Sequence, residues 1–290
     1  MEVNAVAPEK SKTEIAKQLG VSRQSLYYQP KLPEKDLLLK LQIEMVMEGN
    51  KGYGHKRIAD ALSINKKRIR RVMKLFGLKP KRSRKPPAKP DDQGQTPATI
   101  PNLLKGILVE VPGHAWVYDF TYLWFFGRFV YLATVEDIFT REIVGWAVSF
   151  RHDANLVCRT MTNALENHPA PKIGHSDQGS EYRSAKYQPL LAAAGITPSM
   201  SKKGSPWENG YQESFYSQFK LELGHPECYA NLGELIEAIA LQIHYYNHQR
   251  IHTALRCAPA VFAKRHQTAI EVSKMKKIVT FQNTANILTV

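Results

Sequence analysis

Helical spacing of apolar residues governs the first third of the chain, and runs of β-branched and aromatic residues take over in the middle. Residues 12–28, KTEIAKQLGVSRQSLYY, predict two short helices around a turn. Ile15, Ala16 and Leu19 make the inner face of the first, Gly20 and Val21 turn the chain, Ser22 caps the second, and Leu26 packs back on Leu19. Residues 34–48 predict an amphipathic helix with Leu38, Leu41 and Met45 on its core side, too short for a coiled-coil seam. Residues 49–79 predict a further pair, from about His55 to Leu62 and from about Lys66 to Phe76, with Asn65 as cap and Gly77 as terminator. On the last helix Ile69, Val72, Met73 and Phe76 line one face, and Lys67, Arg70, Arg71 and Lys74 line the other.

From residue 115 the period changes. Runs 115–125, 128–136 and 140–149 are rich in Val, Ile, Tyr, Trp and Phe and predict three sequential strands, with Gly127 at the first turn and Thr140-Arg141 in the second connection. A helix over 154–167, a strand over 171–176, a helix over 184–194, a brief strand over 196–199 and a long helix over 207–223 follow. An amphipathic helix over 231–248 aligns Leu235, Ile239 and Ile243. Pro259 opens a short helix to about His266, and Ile278-Val279-Thr280-Phe281 alternates like a strand after a basic patch at Lys274, Lys276 and Lys277. The pattern alone defines a mixed α/β domain behind an all-helical segment.

Between the two lies 80–102, PKRSRKPPAKPDDQGQTPATIPN, which is rich in proline and polar residues and has too little apolar surface for a core. The expected units are 1–33 (helix-turn-helix), 34–79 (second helical module), 80–104 (basic linker), 105–225 (catalytic core) and 226–290 (C-terminal helices and tail). Residues 1–90 hold 22 Lys+Arg and 8 Asp+Glu and carry the whole net charge of +14, while residues 91–290 hold 18 of each. A basic arm on a neutral body is the footprint of nucleic-acid binding, although a solvated basic face gives the same count. In that reading Arg23, Gln24 and Ser25 enter a DNA groove, Lys67, Arg70, Arg71 and Lys74 face phosphates, and Lys81, Arg82, Arg84 and Lys85 track the backbone; packing hairpins and plain surface are the alternatives. No run of 18 apolar residues predicts a membrane span, and the N-terminus has no signal-peptide core. Cys158, Cys228 and Cys257 match no zinc spacing, as expected of thiols in a cytosolic protein.

The chemistry concentrates in three carboxylates. Asp119 interrupts the apolar run AWVYDFTYLWFF, where a carboxylate is costly to bury without a cation. Asp177 follows a short apolar run, and Glu213 lies on the helix with 35 residues between the two. There Phe215, Phe219 and Leu223 repeat toward the core, while Glu213, Ser217 and Lys220 form another stripe. Two residues rotate a helix by about 200°, so Glu213 points away from Phe215. Two strand-borne aspartates and a helix-borne glutamate can hold two divalent metals for phosphoryl transfer. Asp137, Asp153, Glu181, Glu208 and Glu222 compete, with helix caps and surface pairs as their ordinary fates.

The flanking words sharpen this. His175-Ser176-Asp177-Gln178-Gly179-Ser180-Glu181-Tyr182, Ser199-Met200-Ser201-Lys202-Lys203-Gly204, Glu208-Asn209, Glu213-Ser214-Phe215, Lys220-Leu221-Glu222 and Tyr246-Asn247-x-x-Arg250-x-His252 resemble the DDE transposases of bacterial insertion sequences, relatives of the retroviral integrases. The words KGYGHKRI and IRRVMKLFGLK resemble the helix-turn-helix that precedes the core in that branch. The resemblance implies a ribonuclease-H-like core and a DDE polynucleotidyl transferase that cuts and joins DNA strands. It implies Asp119, Asp177 and Glu213 as catalytic metal ligands for two Mg2+ ions, with Mn2+ as a substitute. His175 and Asn209 are expected near the metals, and Lys202, Lys203 and Lys220 on phosphates. Expected partners are double-stranded DNA of element ends and target and at least one further copy of the chain, with no membrane, in the bacterial cytoplasm on the nucleoid. A non-catalytic DNA-binding regulator and a simple metal-dependent nuclease are the rival readings.

Overall fold

The strand-like runs of residues 115–149 fold as an antiparallel meander in the computed structural model, which describes residues 11–27, 32–82, 100–202 and 210–268. Strand β1 (Ala115–Phe125) pairs with β2 (Arg128–Asp137), and β2 with β3 (Ile143–Ser149). The chain then crosses through α5 (Ala154–Asn167) to β4 (Ile173–Ser176), parallel to β1, and through α6 (Tyr187–Ala193) to β5 (Thr197–Met200), parallel to β4. The five-stranded order is β3-β2-β1-β4-β5. Three antiparallel strands extended on the β1 edge by two crossover strands make the ribonuclease-H-like arrangement.

Helices cover both faces. Trp116, Tyr118 and Val135 pack under α5 and α6 through Val157, Met161, Ala164, Tyr187 and Leu191. On the other face Leu123, Phe125, Val130 and Leu132 meet Phe215, Phe219 and Leu223 of α7 (Gly210–Leu223) and Leu235, Ile239 and Ile243 of α8 (Leu232–His248). The chain is helical again over 259–268. Asp137 and Asp153 are structural, as expected of competing acids. Asp137 Oδ1 accepts from the amides of Phe139 and Thr140 at the β2–β3 turn, and Asp153 caps α5 by accepting from Leu156 N at 3.0 Å.

The N-terminal third departs from expectation in three places. After α1 (Lys12–Leu19) the predicted recognition helix is a single 3-10 turn, Arg23–Tyr27; Ser22 Oγ does accept from Ser25 N, but Leu19 is 64% exposed and makes no inner face. In α2 (Leu32–Gly49) the core side is Leu39 and Ile43, and the Leu38, Leu41, Met45 stripe faces outward. The chain carries two overlapping apolar stripes there, and the one containing Asp36 turns inward. Asp36 is buried and paired bidentately with Arg71 at 2.5 and 2.7 Å, while the Arg71 side chain itself stays exposed. The pair α3 (His55–Leu62) and α4 (Lys66–Leu75) forms as expected, with Asn65 Oδ1 accepting from Lys67 N and Ile69, Val72 and Met73 buried. Gly77 closes it at φ +68°.

This helical module is tied to the body by the YNHQRIH word. Asn247 exchanges two 2.9 Å hydrogen bonds with the main chain of Ile143. The buried Arg250 donates from Nε to both oxygens of Glu222 on α7, at 2.8 and 2.9 Å, and from Nη2 to Gln218 at 3.1 Å. The next amide, Ile251 N, donates to the Tyr53 hydroxyl at 2.6 Å, and Arg57 donates to Thr253 at 3.0 Å. Packing against α7 is thus the role of this word.

Candidate active site

Strand register brings the two aspartates together. In the parallel β1–β4 pair Val117 stands opposite His175. Two residues further on come Asp119, still within β1, and Asp177, the first residue past the end of β4. Asp119 also faces Thr134 across the antiparallel β1–β2 pair. The β1 edge is open beyond this point, since β4 ends at Ser176.

Helix α7 is fixed against this edge by two polar residues that the sequence did not advertise. Gln212, fully buried, donates from Nε2 to the Val117 carbonyl at 2.9 Å and accepts from Thr134 Oγ1 at 2.8 Å. Tyr216, one turn on, donates its hydroxyl to the Asp119 carbonyl at 2.7 Å and lies 2.8 Å from Thr134 Oγ1. Glu213 sits between them and is exposed, while Phe215 and Phe219 are buried, so the rotation argument holds. The one available sequence signal was Gln212 and Tyr216 at i, i+4 within an otherwise apolar face.

The electrostatics are those of an uncompensated acid cluster. Burial pushes the Asp119 carboxyl up to about 7, aided by the charges of Asp177, Glu213 and Glu181, against one hydrogen bond from Phe120 N. Asp177 is raised by burial and by Glu181, with the Gly179 amide and His152 pulling the other way. Among the described residues no three His, Cys, Asp or Glu side chains stand as a ready-made metal cage. The acids are gathered within electrostatic reach rather than drawn onto one point. The donors nevertheless suit a hard divalent cation: they are carboxylates whose burial without a counter-charge raises Asp119 and Asp177, and a cation would relieve it.

Two acids expected as bystanders have defined partners. Glu181, buried, bonds His152 Nε2 at 3.0 Å and accepts from Ser180 Oγ, and Glu222 holds Arg250. His175 is fully buried with Nδ1 2.8 Å from Ser199 Oγ, which also accepts from Leu103 N, so it ties β4 to β5. Lys220 reaches over the Tyr122 ring, and Lys202 lies at the end of the described β5 segment. Lys81 and Arg82 are exposed, as are Lys67, Arg70 and Lys74, while Arg23, Gln24 and Ser25 lie on the 3-10 turn. Arg84, Lys85, Lys203, Glu208, Asn209 and the 274–281 tail fall outside the described residues.

Comparison with known proteins now decides the family. The integrase core domain family matches residues 110–206 and again 194–259. The transposase for insertion sequence element IS904 of Lactococcus lactis is 36% identical over 228 residues, covering 75% of this chain and 90% of that protein. A 31 kDa protein of insertion element IS600 from Shigella sonnei is 33% identical over 267 residues, covering 86% and 98%. The chain belongs to the integrase-core transposases of bacterial insertion sequences. Among solved structures, the HTLV-2 integrase catalytic core domain in complex with magnesium is 17% identical, covering 53% of this transposase and 97% of that chain, with a TM-score of 0.42. The family match spans the transposase's sheet, α7 and most of the YNHQRIH-containing segment, which are the elements that position Asp119, Asp177 and Glu213.

Proposed function

We propose that Asp119, Asp177 and Glu213 are the catalytic carboxylates of this transposase, cutting DNA at the ends of its element and joining the released 3′-hydroxyl to target DNA. The observation that carries this is Asp119 on β1 beside the end of β4, where Asp177 follows, with the Glu213 helix hydrogen-bonded to Asp119's own main chain. Two magnesium ions, with manganese as a substitute, would supply activation of the attacking oxygen and stabilisation of the leaving one when bound by these acids. The chain's own residues set the geometry. Gln212 and Tyr216 fix the distance from α7 to β1, and the 177–181 turn is held by the Gly179 amide and the His152–Glu181 pair. Because each centre acts on one end, joining two ends requires at least two copies. The exposed cations of α4 and residues 81–82 bind double-stranded end DNA, and Lys202 and Lys220 bind phosphates nearer the acids, with the protein acting on the nucleoid in the cytoplasm.

Incubation with end-sequence DNA, target DNA and magnesium tests this. Cleaved and joined products are expected. Cleavage without joining would make it a nuclease, and a gel shift without cleavage would make it a regulator.

A further inference from the structure

At the hairpin end of the meander, beyond the cover of α5 and α6, the strand positions that face water break the usual rule that they are polar. From Thr121 to Phe125 the odd positions of β1 are buried, while the even ones, Tyr122 and Trp124, are 54% and 46% exposed. Phe129 on β2 and Phe126 at the hairpin tip join them at 42% and 59%, and Phe150 lies just after β3. The rings are in contact: Tyr122–Phe129 centroids are 5.2 Å apart and Trp124–Phe129 5.0 Å. Phe126 holds φ +39° at a turn position that Asn, Asp or Gly fills more cheaply. Contiguous exposed apolar surface of this kind marks an interaction site.

The strip is also cationic. The Lys220 ammonium lies 4.8 Å from the Tyr122 ring, whereas Arg128, opposite Phe125 in the register, stacks 3.4 Å from the Phe150 ring on the other side of the hairpin. Segments 120–131 and 148–152 contain Arg128 and Arg151 and no acidic residue. Packing a second copy on this face would therefore oppose like charges. The row of rings also continues to the candidate site. Phe120, next to Asp119, follows Tyr131 at 6.4 Å, and Tyr131 follows Phe129 at 6.4 Å. Lys220 shares its helix stripe with Glu213.

We propose that this strip is a stacking platform for an unpaired DNA strand leading away from the scissile phosphate; this rests on the transposase reading above. Unpaired bases offer π-faces that rings can stack on without regard to sequence, and Lys220 meets the phosphates between them. A duplex keeps those faces stacked internally. From Phe120 to Phe126 the strand runs about 20 Å, enough for on the order of four to six stacked bases.

The test uses the full chain with an oligothymidylate of about twelve nucleotides and a hairpin duplex, read by tryptophan fluorescence and by anisotropy. The single strand is expected to quench Trp124. Trp124→Ala and Phe129→Ala are each expected to weaken single-strand binding roughly tenfold and duplex binding by less than about twofold. Trp124→Phe, which keeps a stacking ring and guards against a folding defect, is expected to restore affinity while losing the quench. Unchanged single-strand affinity in Trp124→Ala overturns the proposal, as does equal loss on the duplex. A Trp124 signal that follows protein concentration without DNA overturns it in favour of a contact between copies. End joining is measured separately. Joining without Trp124-dependent single-strand binding refutes the platform alone, whereas such binding without joining upholds the platform and refutes the transposase reading.

Discussion

Arg250→Met removes the guanidinium that fastens α7 to the rest of the chain. The Arg250 side chain is 2% exposed and that of Glu222 is 9% exposed. After the substitution the Glu222 carboxylate keeps one described donor, the Gln242 amide at 2.9 Å. Leaving one member of a buried ion pair uncompensated costs about 3–5 kcal/mol, more than either partner's contacts contribute alone. Gln218 loses its 3.1 Å donor as well. Urea unfolding followed by circular dichroism measures the loss. Glu222→Gln in the same background removes the stranded charge and is expected to recover on the order of 1–2 kcal/mol, so the double-mutant cycle is non-additive. A loss below about 1 kcal/mol for Arg250→Met, or strict additivity with Glu222→Gln, refutes the clamp.

Asp119 is raised above its unfolded value. Its ionisation therefore leaves the metal-free fold undisturbed below about pH 4 and weakens it as pH rises through about 7. In chelator, Asp119→Asn is expected to melt higher than the wild type at pH 8, by on the order of 2–4 kcal/mol, and to match it near pH 4; equal melting at pH 8 contradicts the burial argument. Gly145→Ala places a methyl 2.5 Å from Ala164 Cβ and 2.7 Å from the Thr160 carbonyl, where β3 meets α5. It should cost about 1–3 kcal/mol in a thermal melt, and an unchanged melt rules out that close approach. Gln212→Leu leaves the Val117 carbonyl and the Thr134 hydroxyl without this partner. Turnover should fall at least about tenfold with end-DNA affinity held, and loss of affinity in parallel would argue for general unfolding.

Much of this was legible because local periods carry it. The β-branched and aromatic run over 115–125 is β1 to its last residue, and Glu213's outward direction follows from helical rotation alone. The illegible parts depend on partners distant in sequence. In LLLKLQIEMVM two apolar stripes overlap, and only the Asp36–Arg71 pair, 35 residues apart, shows which one turns inward. The 3-10 turn at Arg23–Tyr27 has a helix-like spacing but only five residues in which to express it. Gln212 and Tyr216 fall on the apolar face of α7, but their partners stay unseen until Thr134 and the β1 carbonyls are placed beneath them. Glu222 and Arg250 each look like solvated charges until the chain brings them together.

The most direct test of the three-carboxylate assignment is strand joining on end-sequence DNA by Asp119→Asn, Asp177→Asn and Glu213→Gln proteins, each shown to bind that DNA normally. The account predicts that every one of them loses joining by about a thousandfold or more, some 4 kcal/mol of barrier, with binding intact. Joining at wild-type speed by any of the three contradicts it.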